Sequence, residues 1–248
     1  MITYAILTNT GSRQVNEDSV GMLEDNGIFW FALADGLGGH GKGEVASALA
    51  VEEGLKIAAK TGGDIKEGLT AGAIAAQDRI IREQQKTGLF HEMKTTLVML
   101  AISDGQAGWM HVGDSRLYRF SRDKLEERTL DHSVPQMLVA QGELKERDIR
   151  FHEDRNRLLR VLGTKWESPR MDISRSCPTG DNSSFLLCSD GFWELIGEKE
   201  MSRLLKKSNS PELWLHAMEQ IVIKNGAGKN MDNYSAIAVF VRGDALWR

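Results

Sequence analysis

Four aspartates carry the first hint of chemistry. Asp35, Asp114, Asp190 and Asp232 each stand beside a segment that reads as a strand, and each has a glycine or asparagine as an immediate neighbour. Bare carboxylates at the ends of buried strands lose hydration unless something compensates their charge. Oxygen donors without Cys-His spacing suit a hard divalent ion, Mg²⁺ or Mn²⁺, rather than zinc. The six histidines are scattered and form no H-E-x-x-H pattern. Several carboxylates around two metals suit in-line displacement at phosphorus, where ions acidify a water and neutralise the phosphoryl oxygens. Such a site needs one fixed cation to grip the phosphate bidentately, and Arg13, close to Glu17 and Asp18, can supply it. A covalent route has no evident nucleophile. G-x-S-x-G and C-x₅-R do not occur, and Asp35 lacks the second aspartate of a D-x-D phosphatase.

The densest stretch is Gly27 to Val45, GIFWFALADGLGGHGKGEV. An apolar run from Ile28 to Ala34 predicts a buried strand, which stops at Asp35. Gly36, Gly38, Gly39 and Gly41 follow, and a helical pattern starts at Glu44. The loop satisfies both G-x-G-x-x-G and G-x-x-x-x-G-K, so a nucleotide site is a rival reading. Against it, Gly43 stands where a phosphate loop needs Ser or Thr for magnesium. Asp35 would repel a pyrophosphate, and Asp64 to Lys86 reads as a second helix where a dinucleotide unit needs a strand.

The elements that must position these residues are legible along the chain. Strands are expected at Ile2–Leu7, Ser19–Leu23, Ile28–Ala34, Thr95–Ile102, Gln106–Val112, Arg116–Phe120, Met171–Arg175, Ser184–Cys188 and Tyr234–Val241. Helices are expected at Glu44–Lys60, after Asp64 as N-cap, over a short turn opened by Ser133-Val134-Pro135-Gln136, at Glu198–Lys206, and at Pro211–Lys224 with Ser210 as N-cap. Ser189-Asp190-Gly191 repeats the strand, Asp, Gly, helix order of Asp35-Gly36. Residues 143–160 are unusually charged and read as a flap or as solvated surface. One domain over residues 1–248 is expected, since neither a solenoid-length repeat nor a linker divides the chain.

Composition narrows the function classes. The hydrophobic share of 41% supports a globular core, and a net charge of −4 gives no electrostatic case for nucleic acid. No apolar run approaches the ~18 residues of a membrane span. The segment Met1–Leu7 lacks a basic leader, and Cys177 and Cys188 are the only cysteines. A soluble, cytoplasmic protein without a membrane or nucleic-acid partner is the expectation.

Taken in order, Arg13-Gln14-Val15-Asn16-Glu17-Asp18, Asp35-Gly36-Leu37-Gly38-Gly39-His40, Gly113-Asp114-Ser115-Arg116, Ser189-Asp190-Gly191 and Asp232-Asn233 resemble the motifs of PPM-type phosphatases. These are the metal-dependent serine/threonine protein phosphatases of type 2C, and this chain looks like a short bacterial member. The resemblance implies an α+β fold, a four-layer α-β-β-α sandwich of two antiparallel sheets flanked by helices. It implies two Mn²⁺ or Mg²⁺ ions, with a third, weaker site at Asp114, and direct attack on phosphorus by a metal-bridging hydroxide. By motif matching, Asp35 bridges both ions, the Gly36 carbonyl binds one, and Asp190 and Asp232 complete the other's shell. Glu17 and Asp18 act on the second ion, directly or through water, and Arg13 holds the substrate phosphate. His40 matches the family's proposed general acid once the glycine-rich insertion before it is set aside. Residues 143–157 correspond to the flap, and Asn156–Gly163 resembles the segment after it, with Leu159 where many members carry a polar residue. The segment Gly226–Met231 is longer than the usual approach to Asp232. The implied partners are phosphorylated proteins, substrates of a Ser/Thr kinase that this enzyme, expected to be a monomer, counteracts. The alternative is a catalytically silent phosphoprotein-binding module on the same fold.

Overall fold

The computed structural model describes residues 1–38, 42–89, 92–180 and 182–243. Strands β1 (Ile2–Asn9), β2 (Asp18–Asp25) and β3 (Ile28–Leu37) lead into helices α1 (Gly43–Ala58) and α2 (Ile65–Thr87). Strands β4 (Lys94–Thr95), β5 (Leu97–Ser103), β6 (Gln106–Val112), β7 (Arg116–Ser121) and β8 (Lys124–Arg128) follow. Helix α3 (Val134–Ala140) and a 3₁₀ turn at Glu146–Phe151 precede β9 (Asp172–Ile173), β10 (Cys177–Pro178) and β11 (Ser183–Cys188). Helices α4 (Asp190–Trp193), α5 (Glu198–Leu205) and α6 (Pro211–Gly226) come next, and β12 (Tyr234–Val241) completes the second sheet.

The strands form two antiparallel sheets, one ordered β1-β12-β11-β7-β8 and the other β10-β6-β5-β3-β2, with β4 on β3 and β9 on β6. Period-2 alternation dictates what each face meets. In β3, Trp30, Ala32 and Ala34 pack towards α1 and α2, while Phe31 and Leu33 enter the core between the sheets. Leu117, Phe185, Leu187, Ile237 and Val239 meet them from the other sheet, whose outer face lies under α4, α5 and α6. The result is the expected α-β-β-α sandwich.

The cap chemistry follows the sequence. Asp64 accepts the Glu67 N–H, Ser133 the Gln136 N–H and Ser210 the Leu213 N–H, each supplying an acceptor to a donor with no partner inside the helix. Two expected strands are shorter than anticipated. Thr95–Ile102 breaks at Thr96, whose N–H turns to the Asp35 carbonyl (2.9 Å). Of Met171–Arg175 only Asp172–Ile173 pairs, with β6. Strand β8 was not anticipated, because its LEER tail has no apolar alternation and lies at a sheet edge.

Candidate metal centre

The alternation that builds the core also delivers the carboxylates. Asp35 shares the parity of Phe31 and Leu33 in β3, and Asp18 shares that of Val20 and Met22 in β2. The two aspartates stand directly opposite each other in the β2–β3 register. Both therefore point into the gap between the sheets, at the end where apolar residues give way to polar ones. Asp114 arrives from the turn between β6 and β7, Asp190 from the start of α4, and Asp232 from the residue pair leading into β12. A cleft of about 190 Å³ is lined by Arg13, Glu17, Asp35, Gly36, Asp114, Asp190 and Asp232 together. Asp18 lies buried behind them. His40 lies outside the described residues.

Electrostatics mark the cluster as incomplete. Burial, and then the charges of Asp190 and Asp232, push Asp18 up to about 7 despite hydrogen bonds from Ser189 and Ser235. Asp35 and Asp114 are raised well above the usual carboxylate range by burial, and in each case Asp190 is the largest neighbouring charge. Asp190 is raised by burial and by Asp232, and Glu17 chiefly by burial. Asp18 Oδ1 and Asp190 Oδ1 are buried without a hydrogen-bond partner. Orphaned acceptors of this kind are rare in folded proteins and costly. Crowded, unsatisfied carboxylate oxygens are the donor set that hard divalent cations take.

Asn233 is the keystone that the sequence reading paired with Asp232 but gave no role. Its Oδ1 accepts the Glu17 N–H (2.8 Å), and its Nδ2 donates to the carbonyls of Thr10 (2.9 Å) and Val15 (3.0 Å). One side chain thereby fixes the loop that carries Arg13 and Glu17. Thr96 was missed entirely. Its Oγ1 accepts the Asp35 N–H (2.8 Å) and bonds Ser115 Oγ (2.7 Å), tying Asp35 to the residue after Asp114. Thr95 Oγ1 donates to the Asp35 carbonyl (2.8 Å). Ser189 Oγ donates to Asp18 Oδ2 (2.7 Å) and accepts the Ser235 N–H (2.9 Å). Trp193 Nε1 donates to the Asp114 carbonyl (3.0 Å). Asn233 and Ser189 stand next to aspartates in the sequence, whereas Thr95 and Thr96 carry no such signal.

The glycines after Asp35 and Asp190 serve close approach rather than an unusual backbone angle. A Cβ on Gly36 would stand 2.2 Å from the Gly43 carbonyl oxygen, and one on Gly191 would stand 2.1 Å from that of Asn233. Each Asp-Gly pair marks a point where two backbones touch beside a ligand-type side chain.

Arg13 Nη2 pairs with Asp232 Oδ2 at 2.9 Å and stays about half exposed, a guanidinium at the rim of the cleft. Asn156 and Leu158 also line the cleft, whereas Leu159 points out to solvent. A separate group, His111, His132 and Asp172, brings three ligand-type atoms within 4.8 Å of one another. The two imidazoles stack at 4.5 Å and 11°, so their in-plane lone pairs run in parallel planes instead of converging at coordination distance. Arg160 already gives Asp172 a cation at 3.1 Å.

Comparison with known proteins places this geometry. Residues 8–223 match the protein phosphatase 2C family. The chain belongs to that family. A relative from Listeria innocua, the serine/threonine phosphatase Stp, is 31% identical over 80% of this chain and 80% of its own length. The serine/threonine protein phosphatase PstP of Mycobacterium tuberculosis is 29% identical over 93% of this chain, which spans 44% of PstP's length. The crystal structure of the PstP catalytic domain in complex with two manganese ions superposes with a TM-score of 0.83 at 26% identity, covering 98% of this chain and 99% of that one. In this family member the nucleotide reading also fails on topology. The element after α1 and its 3₁₀ extension is helix α2, not a second parallel strand. Gly39, His40 and Gly41 of the glycine loop lie outside the described residues.

Proposed function

We propose that this protein phosphatase 2C family member removes phosphate from phosphoserine and phosphothreonine in proteins, using two Mn²⁺ or Mg²⁺ ions, and that residues 1–248 form one catalytic domain. The observation that carries the reading is the convergence of Asp18, Asp35, Asp190 and Asp232 with two buried, unpartnered carboxylate oxygens. These residues fit hard cations and little else. Asp35, the Gly36 carbonyl, Asp190 and Asp232 would hold the ions, Glu17 and Asp18 would support them, and Asp114 would offer a third, weaker position. Bound ions of this type supply Lewis acidity towards water and towards the phosphoryl oxygens.

The chain's own residues do the rest. Arg13 can exchange its contact with Asp232 for a phosphate, presenting paired N–H donors to two oxygens. Asn233 fixes the loop that aims it. Thr96 and Ser115 hold Asp35 against displacement as charge develops. His40, from the glycine loop, is the proposed proton donor to the leaving hydroxyl. We assign the protein to the cytoplasm, as a monomer that opposes a Ser/Thr kinase. The silent-module alternative has no specific observation in its favour, since all the motif-matched carboxylates are present.

Release of inorganic phosphate from a phosphothreonine peptide, followed with Mn²⁺, Mg²⁺ or EDTA, tests the proposal. Release is expected with metal only, and Asp35→Asn should lower kcat by about a hundredfold or more. Near-normal turnover by Asp35→Asn, or turnover in EDTA, would sink the metal mechanism.

A further inference from the structure

The metal cleft does not end at Asp232. A second hollow of about 280 Å³ shares Arg13, Asn156, Asp190 and Asp232 with it, so the two form one continuous trough. The far part runs between residues 150–156 and the loop Gly226–Met231, the two stretches whose charge and length stand out in the sequence without a role in the chemistry. Phe151 lines it with its side chain in solvent, 80% exposed. Leu195 and Met231 add apolar surface on the opposite wall.

The charges sort by partner. Arg155 pairs with Glu194 (3.1 Å) and Arg150 with Glu198 (3.1 Å), so both guanidiniums are satisfied from inside the protein. Asp190 and Asp232 belong to the cation-holding set. Lys229 is exposed, lines the trough, and has no ion-pair partner among the described residues. An uncompensated ammonium on one side of the trough and an exposed aromatic ring on the other suit an extended chain that carries both a carboxylate and an apolar side chain.

We infer that this trough seats the polypeptide flanking the phosphorylated residue, and that Lys229 and Phe151 select substrates with an acidic and an apolar residue near the phosphosite. The inference rests on the phosphatase reading above and names the substrate class of that same site. The 190 Å³ cleft holds the phosphoryl group, and the flanking chain leaves it past Arg13 along the shared wall. Residues 150–156 act as one side of the seat, held down through Arg150 and Arg155 rather than floating free.

A phosphothreonine peptide series tests it, with Glu, Lys, Leu or Gly placed singly at each of the three positions on either side of the phosphoresidue. The readout is the ratio of kcat/KM within each protein, so that overall activity cancels. Wild type should prefer Glu over Lys at one or two positions by about threefold, the scale of one exposed charge pair. Lys229→Glu should invert that ratio at the same positions, and Phe151→Ala should abolish a preference for Leu over Gly. Hydrolysis of p-nitrophenyl phosphate by wild type reports the phosphatase reading separately, because this small ester carries no flanking polypeptide. Turnover of the ester with peptide preferences that neither substitution moves overturns the trough assignment alone. No turnover of the ester or of any peptide overturns both.

Discussion

Asp18 shows how a single side chain registers the need for a cation. The folded protein keeps its proton up to about 7, against an ordinary value of 3.8, because burial and neighbouring aspartates oppose its charge. Between those two values the folded state binds more protons than the unfolded chain, so raising the pH favours unfolding. In EDTA, Tm should therefore fall as pH climbs from about 4 to about 7. Mn²⁺ should raise Tm most at the top of that range, where the carboxylates are ionised and ready to bind. Differential scanning calorimetry at several pH values checks this, and a Tm that rises with pH in EDTA would contradict it. Arg13 makes a contrasting case. Its side chain is half exposed and, among the described carboxylates, hydrogen-bonds only Asp232, so little of the fold rests on it. Arg13→Ala should raise KM for a phosphopeptide by roughly tenfold or more, the worth of a charge-assisted pair. The Mn²⁺ concentration for half-maximal activity should stay near that of wild type. A variant that loses its metal instead would show that Arg13 builds the centre.

At the scale of elements, the strands and helices were legible because their patterns are strong. The strand of the apolar run Ile28–Ala34 and the caps at Asp64, Ser133 and Ser210 all appear where the residue types place them. The aspartates were legible too, since a carboxylate after an apolar run contradicts its surroundings. What was not legible is the scaffold beneath them. Thr96 looks like any β-branched strand residue, and only the three-dimensional approach of β3 shows its hydroxyl receiving the Asp35 N–H. The extent of β8 was equally hidden, because an exposed edge strand needs no apolar face. Gly191 was legible only as part of a repeated strand, Asp, Gly, helix order, and the structure shows its contact with the Asn233 carbonyl. Gly191→Ala would drive a methyl into backbone that has no rotamer to yield, forcing α4 away from the 232–233 pair. A loss of about 1–3 kcal/mol is expected, together with weaker Mn²⁺ activation. Thermal melts and a Mn²⁺ titration measure both, and a variant matching wild type in each would show that the two backbones have slack.

For the whole molecule, the sandwich explains why five short motifs spread from Arg13 to Asn233 can serve one cleft. The two sheets open towards each other at one end, and loops from both meet there. No helix among the described residues is long and apolar enough to cross a membrane. Strand β1 pairs along its whole length with β12, from Ile2 opposite Val241 to Asn9 opposite Tyr234. The Asn233 amide closes the same circuit on the loop before β2, bonding residues more than two hundred positions away. Contacts of such long range form late, since the entropy of loop closure is spent before they reward the chain. A nascent chain that has emerged only as far as α6 has Arg13 and Glu17 but not the Asn233 amide that anchors their loop. The geometry of that loop is therefore complete only once β12 lies beside β1, so the last strand of the sheet, far from the loop in sequence, sets the position of Arg13 and Glu17.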